Sequence, residues 1–439
     1  MTDERTLVYA EGLGHLIQCE TISEYNHVNL EKMHRFHDVL KKEFPVLTET
    51  VEWEEFNGSL LLKWKGTSDK EPAMFMNHHD VVETPGNWTH EPFSGDIADG
   101  KLWGRGTLDT KGGLYCMLQA AEELMKEGYV PERDIYFESA CTEEVEGSGC
   151  DTISKELKNR GIHFYMTLDE GGMIVYDPIG GADGTFAMIG VGEKGVADYK
   201  FTARSNGGHA ASPAKNSPLV RLGKFMVDVE KSNLFPAEMS DVTREMLRRM
   251  GPAMKFPLNK VLGNPDKFEA LLKILMPMVS PTAGALLKTT LAFTTAKGSD
   301  AYNSMPDEAY VTGNMRFSHH QGAAASIAAV KKVAKKYDIE VEAIDPGFES
   351  RISDYNSEPF HLVEEAVHEI FPGVIPAPYV TSTASDSRYM DRVCDNCIRL
   401  TPFTISDEQM ASIHGVDENV DLSCLAPAVD FYKYLMKKL

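Results

Sequence analysis

The chain has 439 residues, of which 42% are hydrophobic and 25% charged, and its formal net charge is -22. This length favours two domains over one. Nucleic acids and anionic membranes bind basic surfaces, so we expect neither as a partner of so acidic a chain. No apolar run approaches the ~20 residues of a membrane span, and the charged start MTDERTLVYA lacks the apolar core of a signal peptide. Seven cysteines, an odd number, favour a reducing cytoplasm over a disulfide scaffold.

The first part of the chain alternates helical and extended patterns. NLEKMHRFHDVLKKEF has apolar residues at helical spacing, while SLLLKWKG and PAMFMN predict strands, the second buried on both faces. A helix is predicted from Lys111 to Gly128, followed by the strand RDIYFESACTEE, the helix SGCDTISKELKNRG and the strand FYMTLDEGG. This alternation is typical of an α/β fold with a mixed or parallel sheet flanked by helices.

The pattern changes after GVGEKG. VADYKFTARS alternates apolar and polar residues as a half-exposed strand does, and AYVTGNMRFS, AAASIAAVKKVAKKYD and IEVEAID then predict strand, helix and strand. We therefore predict a separate α+β domain over residues 196–351, inserted into a catalytic domain built from residues 1–195 and 352–439. The Met- and Pro-rich tract 239–291 inside the insertion has helical patches, but its path stays open at this level.

Acids and histidines follow the ends of several predicted strands, where ligands collect in open α/β sheets. One acid at a strand end is most simply a helix cap or a solvated loop residue. Four successive groups at one sheet edge would repel one another unless cations lay among them. Histidine with carboxylates is a ligand set for zinc or a similar divalent ion, so the pattern predicts a metal site. The residues are His78, His79, Asp80, Asp109, Glu143, Glu144, Asp169 and Glu170.

Six motifs in order make the chain resemble the superfamily of co-catalytic zinc amidohydrolases. That superfamily includes carboxypeptidase S (Gly-X carboxypeptidase), aminoacylase, acetylornithine deacetylase and succinyl-diaminopimelate desuccinylase. The motifs are HHDVV, WTHEPFSGDIADGKLWGRGTLDTKGG, TEEVEGSG, LDEGG, NGGHAASP and IHGVDENV. GYVPERDIYF and IGVGEKG look most similar to the carboxypeptidase S branch. The resemblance implies a zinc-exopeptidase-like mixed sheet with an inserted α+β lid or dimerisation domain.

The resemblance also implies two divalent metal ions, with Asp109 bridging them. His78 and Asp169 would complete one site, and Glu144 with the C-terminal His414 the other. Zinc fits these ligands, and cobalt or manganese would be accepted as well. Asp80 would orient the ring of His78, while His79 is expected on the opposite face of the strand, with a ligand role as the alternative.

Catalytic roles follow from the same resemblance. Glu143 would be the general base that takes a proton from the water bridging the metals and passes it to the leaving amine. His209 would stabilise the oxyanion, and in dimeric relatives this histidine reaches the partner subunit's site. Asn303, Arg316 and Arg388 match positions that hold the substrate, where a guanidinium suits a carboxylate, although each could equally form a structural contact.

The predicted function is a metal-dependent amide hydrolase, favoured as a carboxypeptidase or dipeptidase acting next to a free carboxylate. An N-acyl-amino-acid deacylase of the aminoacylase or acetylornithine deacetylase type is the alternative, because the same machinery cleaves both bonds. A catalytically inactive relative that binds a ligand is a hypothesis of another class, but all predicted ligands and the base are present. A redox protein built on CDNC, Cys394 to Cys397, would leave the acidic groups unexplained. The expected partners are a small peptide or N-acyl amino acid and a second copy of the chain.

Overall fold

A computed structural model describes residues 4–179, 181–279 and 281–439 of the chain. Its strands form a ten-stranded mixed sheet, a four-stranded antiparallel sheet and two small antiparallel sheets. The strands are β1 Glu52–Phe56, β2 Ser59–Trp64, β3 Ala73–Met76, β4 Asp96–Ala98, β5 Lys101–Trp103, β6 Ile135–Ser139, β7 Met166–Asp169, β8 Ile174–Tyr176, β9 Thr185–Glu193, β10 Gly195–Arg204, β11 Gly208–His209, β12 Thr290–Lys297, β13 Ser304–Met305, β14 Glu308–Phe317, β15 Glu340–Phe348, β16 Ile375–Thr381, β17 Cys397–Arg399, β18 Thr404–Ile405 and β19 Asn419–Asp421.

Helices connect most of these strands. They are α1 Glu4–Ile17, α2 Leu30–Glu43, α3 Pro45–Thr50, α4 Lys111–Lys126, α5 Gly149–Asn159, α6 Pro218–Lys231, α7 Asp241–Met250, α8 Leu258–Leu262, α9 Pro265–Val279, α10 Pro281–Ala285, α11 Gly322–Lys336, α12 Glu358–Ile370, α13 Ser387–Met390, α14 Asp407–Ser412 and α15 Leu425–Lys438. None of the helices in the described residues combines the length and apolar character that crossing a bilayer requires.

The centre of the ten-stranded sheet is parallel and brings several strand ends to one edge. The sheet runs in the order β1-β2-β6-β3-β7-β17-β9-β8-β18, with β16 also paired to β9. β3 pairs in parallel with both β6 and β7, and β17 pairs in parallel with β7. The segments after β3, β6 and β7 therefore leave the sheet side by side, and these segments carry the predicted ligands.

Both faces of this sheet are covered, so its central strands β3, β6, β7 and β17 are buried along their whole length. All four residues of β3 are buried, as expected from the PAMFMN pattern. Phe75 packs in the core formed with α1, α4, α12 and α15, whereas Met74 and Met76 pack with α5 residues on the other face. A mixed α/β fold with a central sheet between helices is thus confirmed.

The four-stranded sheet has the order β12-β14-β10-β15 and a separate hydrophobic core with α6 and α11. β14 alternates buried and half-buried residues along its whole length, as a strand with one covered face does. β10, which the sequence predicted to be half-exposed, is mostly buried because it lies between β14 and β15 inside the sheet. Apart from Gly195, the first residue of β10, these elements lie within the predicted insertion, residues 196–351, whose boundaries stay a proposal.

The tract 239–291, whose course the sequence did not predict, is mostly helical. α7 to α10 make a methionine-rich core against β9 and β16 of the ten-stranded sheet, and α7 packs on β16. Methionine suits this contact because its flexible side chain fills irregular gaps between short helices. The core includes Met239, Met246, Met250, Met254 and Met276.

Candidate metal centre

His78, Asp109 and His414 meet at the carboxyl edge of the parallel strands. His78 follows β3, Asp109 precedes α4, and His414 lies in the loop after α14. His78 Nε2 lies 3.1 Å from Asp109 Oδ1, and His414 Nε2 lies 3.1 Å from Asp109 Oδ2. The two oxygens of Asp109 thus face two different histidines, which is the arrangement that a carboxylate bridging two cations requires.

Glu144 joins this cluster from the 3-10 turn Glu143–Val145 after β6. Its Oε2 lies 2.9 Å from His414 Nε2, and ligand atoms of Glu144, His78 and Asp109 lie within 4.8 Å of one another. Glu144 Oε1 is buried and accepts no hydrogen bond from the described residues. Buried polar atoms are normally satisfied, so this oxygen fits a cation, and the donor set of imidazoles and carboxylates suits a divalent metal.

The protonation of the cluster reflects the proximity of these groups. Hydrogen bonds to Asp109 and Glu144 raise the pKa of His414 to about 10. Burial raises the pKa of Asp109, but the contacts with His414 and His78 outweigh it and hold that pKa below the ordinary value. Burial and the neighbouring Asp109 charge raise the pKa of Glu144 to about 7. Protons on the histidines therefore occupy the positions between ligand atoms that cations would take, and a metal must displace them.

Asp169 is the last residue of β7 and is buried. Its Oδ1 accepts the backbone N–H of Glu170 at 2.8 Å and its Oδ2 accepts that of Ser387 at 2.7 Å. Burial is the main cause that raises the pKa of Asp169. These two hydrogen bonds fix the carboxylate at the same sheet edge as His78, on the neighbouring strand.

Asp80 does more than the orienting task that the sequence suggested. Its Oδ1 lies 3.4 Å from His78 Nδ1, but that nitrogen also lies 3.0 Å from the Asp80 backbone carbonyl. The carboxylate of Asp80 accepts the backbone N–H groups of Glu143 and Glu144, both at 3.1 Å. A single buried acid thus supports a histidine from one strand end and the glutamate pair from the next.

Glu143 lies beside the cluster without joining it as closely as Glu144. Its Oε2 is 3.9 Å from His78 Nε2. Burial raises the pKa of Glu143 well above the ordinary value. A carboxyl group with a raised pKa beside the predicted ligands is suited to take and return a proton.

Glu418 is a supporting residue that we did not single out from the sequence. It is fully buried, and its Oε1 accepts the backbone N–H groups of Gly106, Leu108 and Asp109 at 3.1, 2.8 and 3.2 Å. Its Oε2 accepts a hydrogen bond from Arg105 Nη1 at 2.6 Å. Glu418 therefore shapes the loop that presents Asp109, and the signal was its place four residues after His414 in the motif IHGVDENV.

Gly113 of TLDTKGG is explained by the close approach of α4 to Asn77, the residue after β3. A Cβ on Gly113 would lie 2.2 Å from Asn77 Oδ1. A side chain at this position would clash with Asn77, which is buried, and would disturb the packing of α4 against the end of β3.

His79 points away from these groups. Its Nδ1 lies 2.9 Å from Ser139 Oγ, and its ring stacks on Phe36 with the centroids 4.8 Å apart. These contacts correspond to the opposite face of the strand, as expected from the alternation of side chains.

His209 and Asn303 lie together at the exposed two-stranded sheet of β11 and β13. His209 pairs with Ser304, and the Ala210 backbone N–H donates to the Asn303 carbonyl at 2.9 Å. Within the described part of the chain, no hydrogen bond or ion pair joins His209 to a predicted metal ligand. The structure thus brings these two residues together, but not to the cluster.

Arg388 and Arg316 approach one another near the cluster. Arg388 lines a cavity of about 170 Å³, whose other walls include Glu146, Glu193 and Tyr389. Arg316 lies on β14, and its Nη1 donates to the Ser382 carbonyl at 3.4 Å. Burial, and after it the charge of Arg388, lower the pKa of Arg316. The Nε atom of Arg388 is buried and donates to no group among the described residues.

Comparisons with known proteins agree with this geometry. The model of "Peptidase family M20/M25/M40" matches residues 74–438. The chain is 30% identical over 411 residues to "Probable carboxypeptidase S-like 2" of Dictyostelium discoideum, covering 92% of this chain and 79% of that protein. It is 29% identical over 439 residues to human "N-fatty-acyl-amino acid synthase/hydrolase PM20D1", covering 98% and 87%.

A solved structure shares the fold over the whole length. The M20 family metallo-carboxypeptidase Sso-CP2 of Sulfolobus solfataricus superposes with a TM-score of 0.73 at 16% identity, covering 99% of both chains. The resemblance predicted from six motifs is therefore confirmed. The chain belongs to peptidase family M20/M25/M40 and is a metal-dependent amide hydrolase.

Proposed function

We propose that this hydrolase is a two-zinc carboxypeptidase or dipeptidase that releases an amino acid from a small peptide. The observation that carries the proposal is the convergence of His78, Asp109, Glu144 and His414, with Glu143 beside them. In this assignment His78 and Asp169 would hold one ion, Glu144 and His414 would hold the other, and Asp109 would serve both. Cobalt or manganese would fit the same ligands.

The chain supplies the proton transfers of the reaction. Two divalent cations, when bound, lower the pKa of water and polarise the amide carbonyl. Glu143 accepts the proton of the attacking water on its carboxylate and then donates it to the departing amine. Asp80 contacts both His78 and the backbone of Glu143 and Glu144, and therefore holds the base and the ligands at a fixed separation.

Arg388 and Arg316 are assigned to the free carboxylate of the substrate. The unused buried Nε of Arg388 and the adjoining cavity leave donors and space for a small anion. Because a guanidinium binds a carboxylate through two parallel hydrogen bonds, this contact would fix the amide relative to the metal centre. Asn303 would act with them from its place beside the two-stranded sheet of β11 and β13.

An N-acyl-amino-acid deacylase is the second candidate. The match to human "N-fatty-acyl-amino acid synthase/hydrolase PM20D1" is nearly as strong as the match to the carboxypeptidase S-like protein, at 29% against 30% identity. Both substrate classes present an amide next to a carboxylate, so the proposed roles of Glu143 and Arg388 are the same for either.

A homodimer is proposed because His209 is exposed and, among the described residues, makes no hydrogen bond or ion pair with a predicted metal ligand. The neighbouring helix α6 leaves Leu219, Val220 and Val227 between 47% and 49% exposed. Pairing through this domain would bury them and carry His209 to the partner's site as oxyanion donor. Mixing Glu143→Gln and His209→Asn proteins, each inactive, should restore about a quarter of wild-type turnover, since half of the mixed dimers' sites are intact. No recovery after mixing and subunit exchange would exclude the trans role.

A cytoplasmic location is also proposed. All seven cysteines are free thiols, and six of them are buried. Cys394 and Cys397 are among the buried ones, which argues against a redox function for CDNC.

A hydrolysis screen tests the function. Chelator-treated protein would be supplied with zinc, cobalt or manganese and offered dipeptides, longer peptides and N-acyl amino acids. We expect metal-dependent release of an amino acid that Glu143→Gln loses and Glu49→Gln, a change at an exposed acid on α3, keeps. Peptide turnover supports the first candidate and N-acyl turnover the second. Metal binding without turnover of any substrate would favour an inactive, ligand-binding relative.

A further inference from the structure

A second group of metal-ligating side chains lies outside the proposed catalytic centre, between α2 and the β1–β2 hairpin. His34 and His37 are three residues apart on α2 and face Glu55 of β1. His34 Nε2 lies 2.9 Å from Glu55 Oε1, and His37 Nδ1 lies 3.7 Å from Glu55 Oε2. One ligand atom of each residue lies within 4.8 Å of the other two.

The hydrogen bonds of His37 leave a lone pair facing a carboxylate. His37 is buried, and its Nε2 lies 3.0 Å from the Gly58 carbonyl oxygen, which can only accept. A neutral imidazole carries one N–H and one lone pair. The N–H must therefore be at Nε2, and the Nδ1 lone pair then faces Glu55 Oε2. Both of these atoms are acceptors, so they repel each other.

A second proton on His37 would relieve this repulsion, but the surroundings oppose it. Burial lowers the pKa of His37, and the positive charges of His34 and Lys41 act in the same direction, against the raising effect of Glu55. A cation between Nδ1 and the carboxylate relieves the same repulsion without a charged buried ring.

We propose that His34, His37 and Glu55 form a second site for a divalent transition metal, with zinc as the expected ion. Two imidazoles and one carboxylate with an open position form a common zinc ligand set. Tetrahedral zinc with ligands at about 2.0–2.1 Å requires ligand atoms about 3.3 Å apart. The His34 nitrogen lies 2.9 Å from Glu55 Oε1, the His37 nitrogen lies 3.7 Å from Oε2, and one ligand atom of each residue lies within 4.8 Å of the others, so small side-chain shifts suffice. The hydrogen bond of His37 to Gly58 fixes the tautomer and the ring, as partners of metal-binding histidines do.

The position of the site suggests what the metal does. It joins α2 to the hairpin formed by β1 and β2, and β1 is the outermost strand on its side of the ten-stranded sheet. The ring of His37 also contacts His79 edge to face, with the centroids 5.7 Å apart, and His79 is the neighbour of the proposed ligand His78. Zinc at this site would clamp the sheet edge next to the segment that carries the catalytic ligands.

Zinc titration of the chelator-stripped full chain tests the proposal, with the number of equivalents bound and their affinity as readouts. We expect His34→Asn to lose one equivalent that wild type binds, or to bind it at least about tenfold more weakly. His15→Asn is the matched control, because the exposed side chain of His15 on α1 also contacts a glutamate, Glu43 of α2, at 2.8 Å. It should bind as many equivalents as wild type.

Two further measurements separate this site from the catalytic centre. The zinc equivalent that His34→Asn loses should still bind to an Asp109→Asn variant, in which a proposed ligand of the catalytic metals is changed. Zinc beyond the catalytic equivalents should raise the thermal midpoint of wild type but not that of His34→Asn or Glu55→Gln. The proposal is overturned if both of these variants bind zinc with the stoichiometry and affinity of wild type.

Discussion

Replacing Glu418 with glutamine is expected to destabilise the fold and to impair catalysis together. Glu418 is fully buried and pairs with Arg105, which is 1% exposed. The glutamine would leave that guanidinium without a counter-charge and would turn an amide group toward backbone N–H donors. Breaking a buried ion pair by changing one partner costs about 3–5 kcal/mol. We expect the free energy of unfolding to fall by that amount.

Urea denaturation of the chelator-treated protein measures this loss as a shift of the midpoint at unchanged slope. The matched control is Glu54→Gln, which breaks the exposed bidentate pair of Glu54 with Arg160 at 2.6 and 2.7 Å. An exposed pair contributes about 0–1 kcal/mol, so this variant should stay close to wild type. If Glu418→Gln also lay within about 1 kcal/mol of wild type, Glu418 would not hold the Asp109 loop as argued.

Three more predictions concern the same regions. Asp80→Asn should lower kcat about 10–100-fold at saturating metal, because it weakens the support of both glutamates and of His78; steady-state kinetics with a metal titration checks this. Removing the metal with a chelator should lower the thermal midpoint. Zinc at 100 times its Kd should then restore about 2.7 kcal/mol of stability for each site that it fills. Asp109→Asn should not recover the part that comes from the catalytic site. Burial holds the pKa of His37 below 6.5, so the unfolded chain takes up the extra proton and stability falls as pH drops below that value. In the presence of a chelator, His37→Gln should make the unfolding free energy depend less steeply on pH, by up to about 1.4 kcal/mol per pH unit. An unchanged pH dependence would contradict a lowered pKa of His37 in the folded protein.

Local sequence patterns predicted the positions of some of the proposed metal ligands but not of all. Strand and helix periodicity placed His78, Glu144 and Asp169 at strand ends, and parallel strands necessarily bring such ends to one edge. The role of His414 came only from the motif resemblance, because a loop histidine 336 positions after His78 carries no local signal of its partners. The structure now places its Nε2 against Asp109 and Glu144.

The hydrogen bonds that support the metal centre could not be predicted from the sequence. Asp80 was expected to orient a ring two residues away, yet its carboxylate also binds the backbone of residues 143 and 144 from another strand. Glu418 holds the loop before α4 from over 300 residues away. Such contacts depend on which loops the sheet topology brings together, and composition or spacing does not encode that.

The sequence by itself determined the family, the alternation of helix and strand, and the identity of the chemical groups at one sheet edge, because periodicity and motif order are local properties of the chain. The tertiary structure alone decided where the methionine-rich tract 239–291 packs, how the buried acids Asp80 and Glu418 support the centre, and that His34 and His37 face Glu55. Each of these depends on contacts between distant segments, whose geometry exists only once the sheet order and the packing of helices on its faces are established.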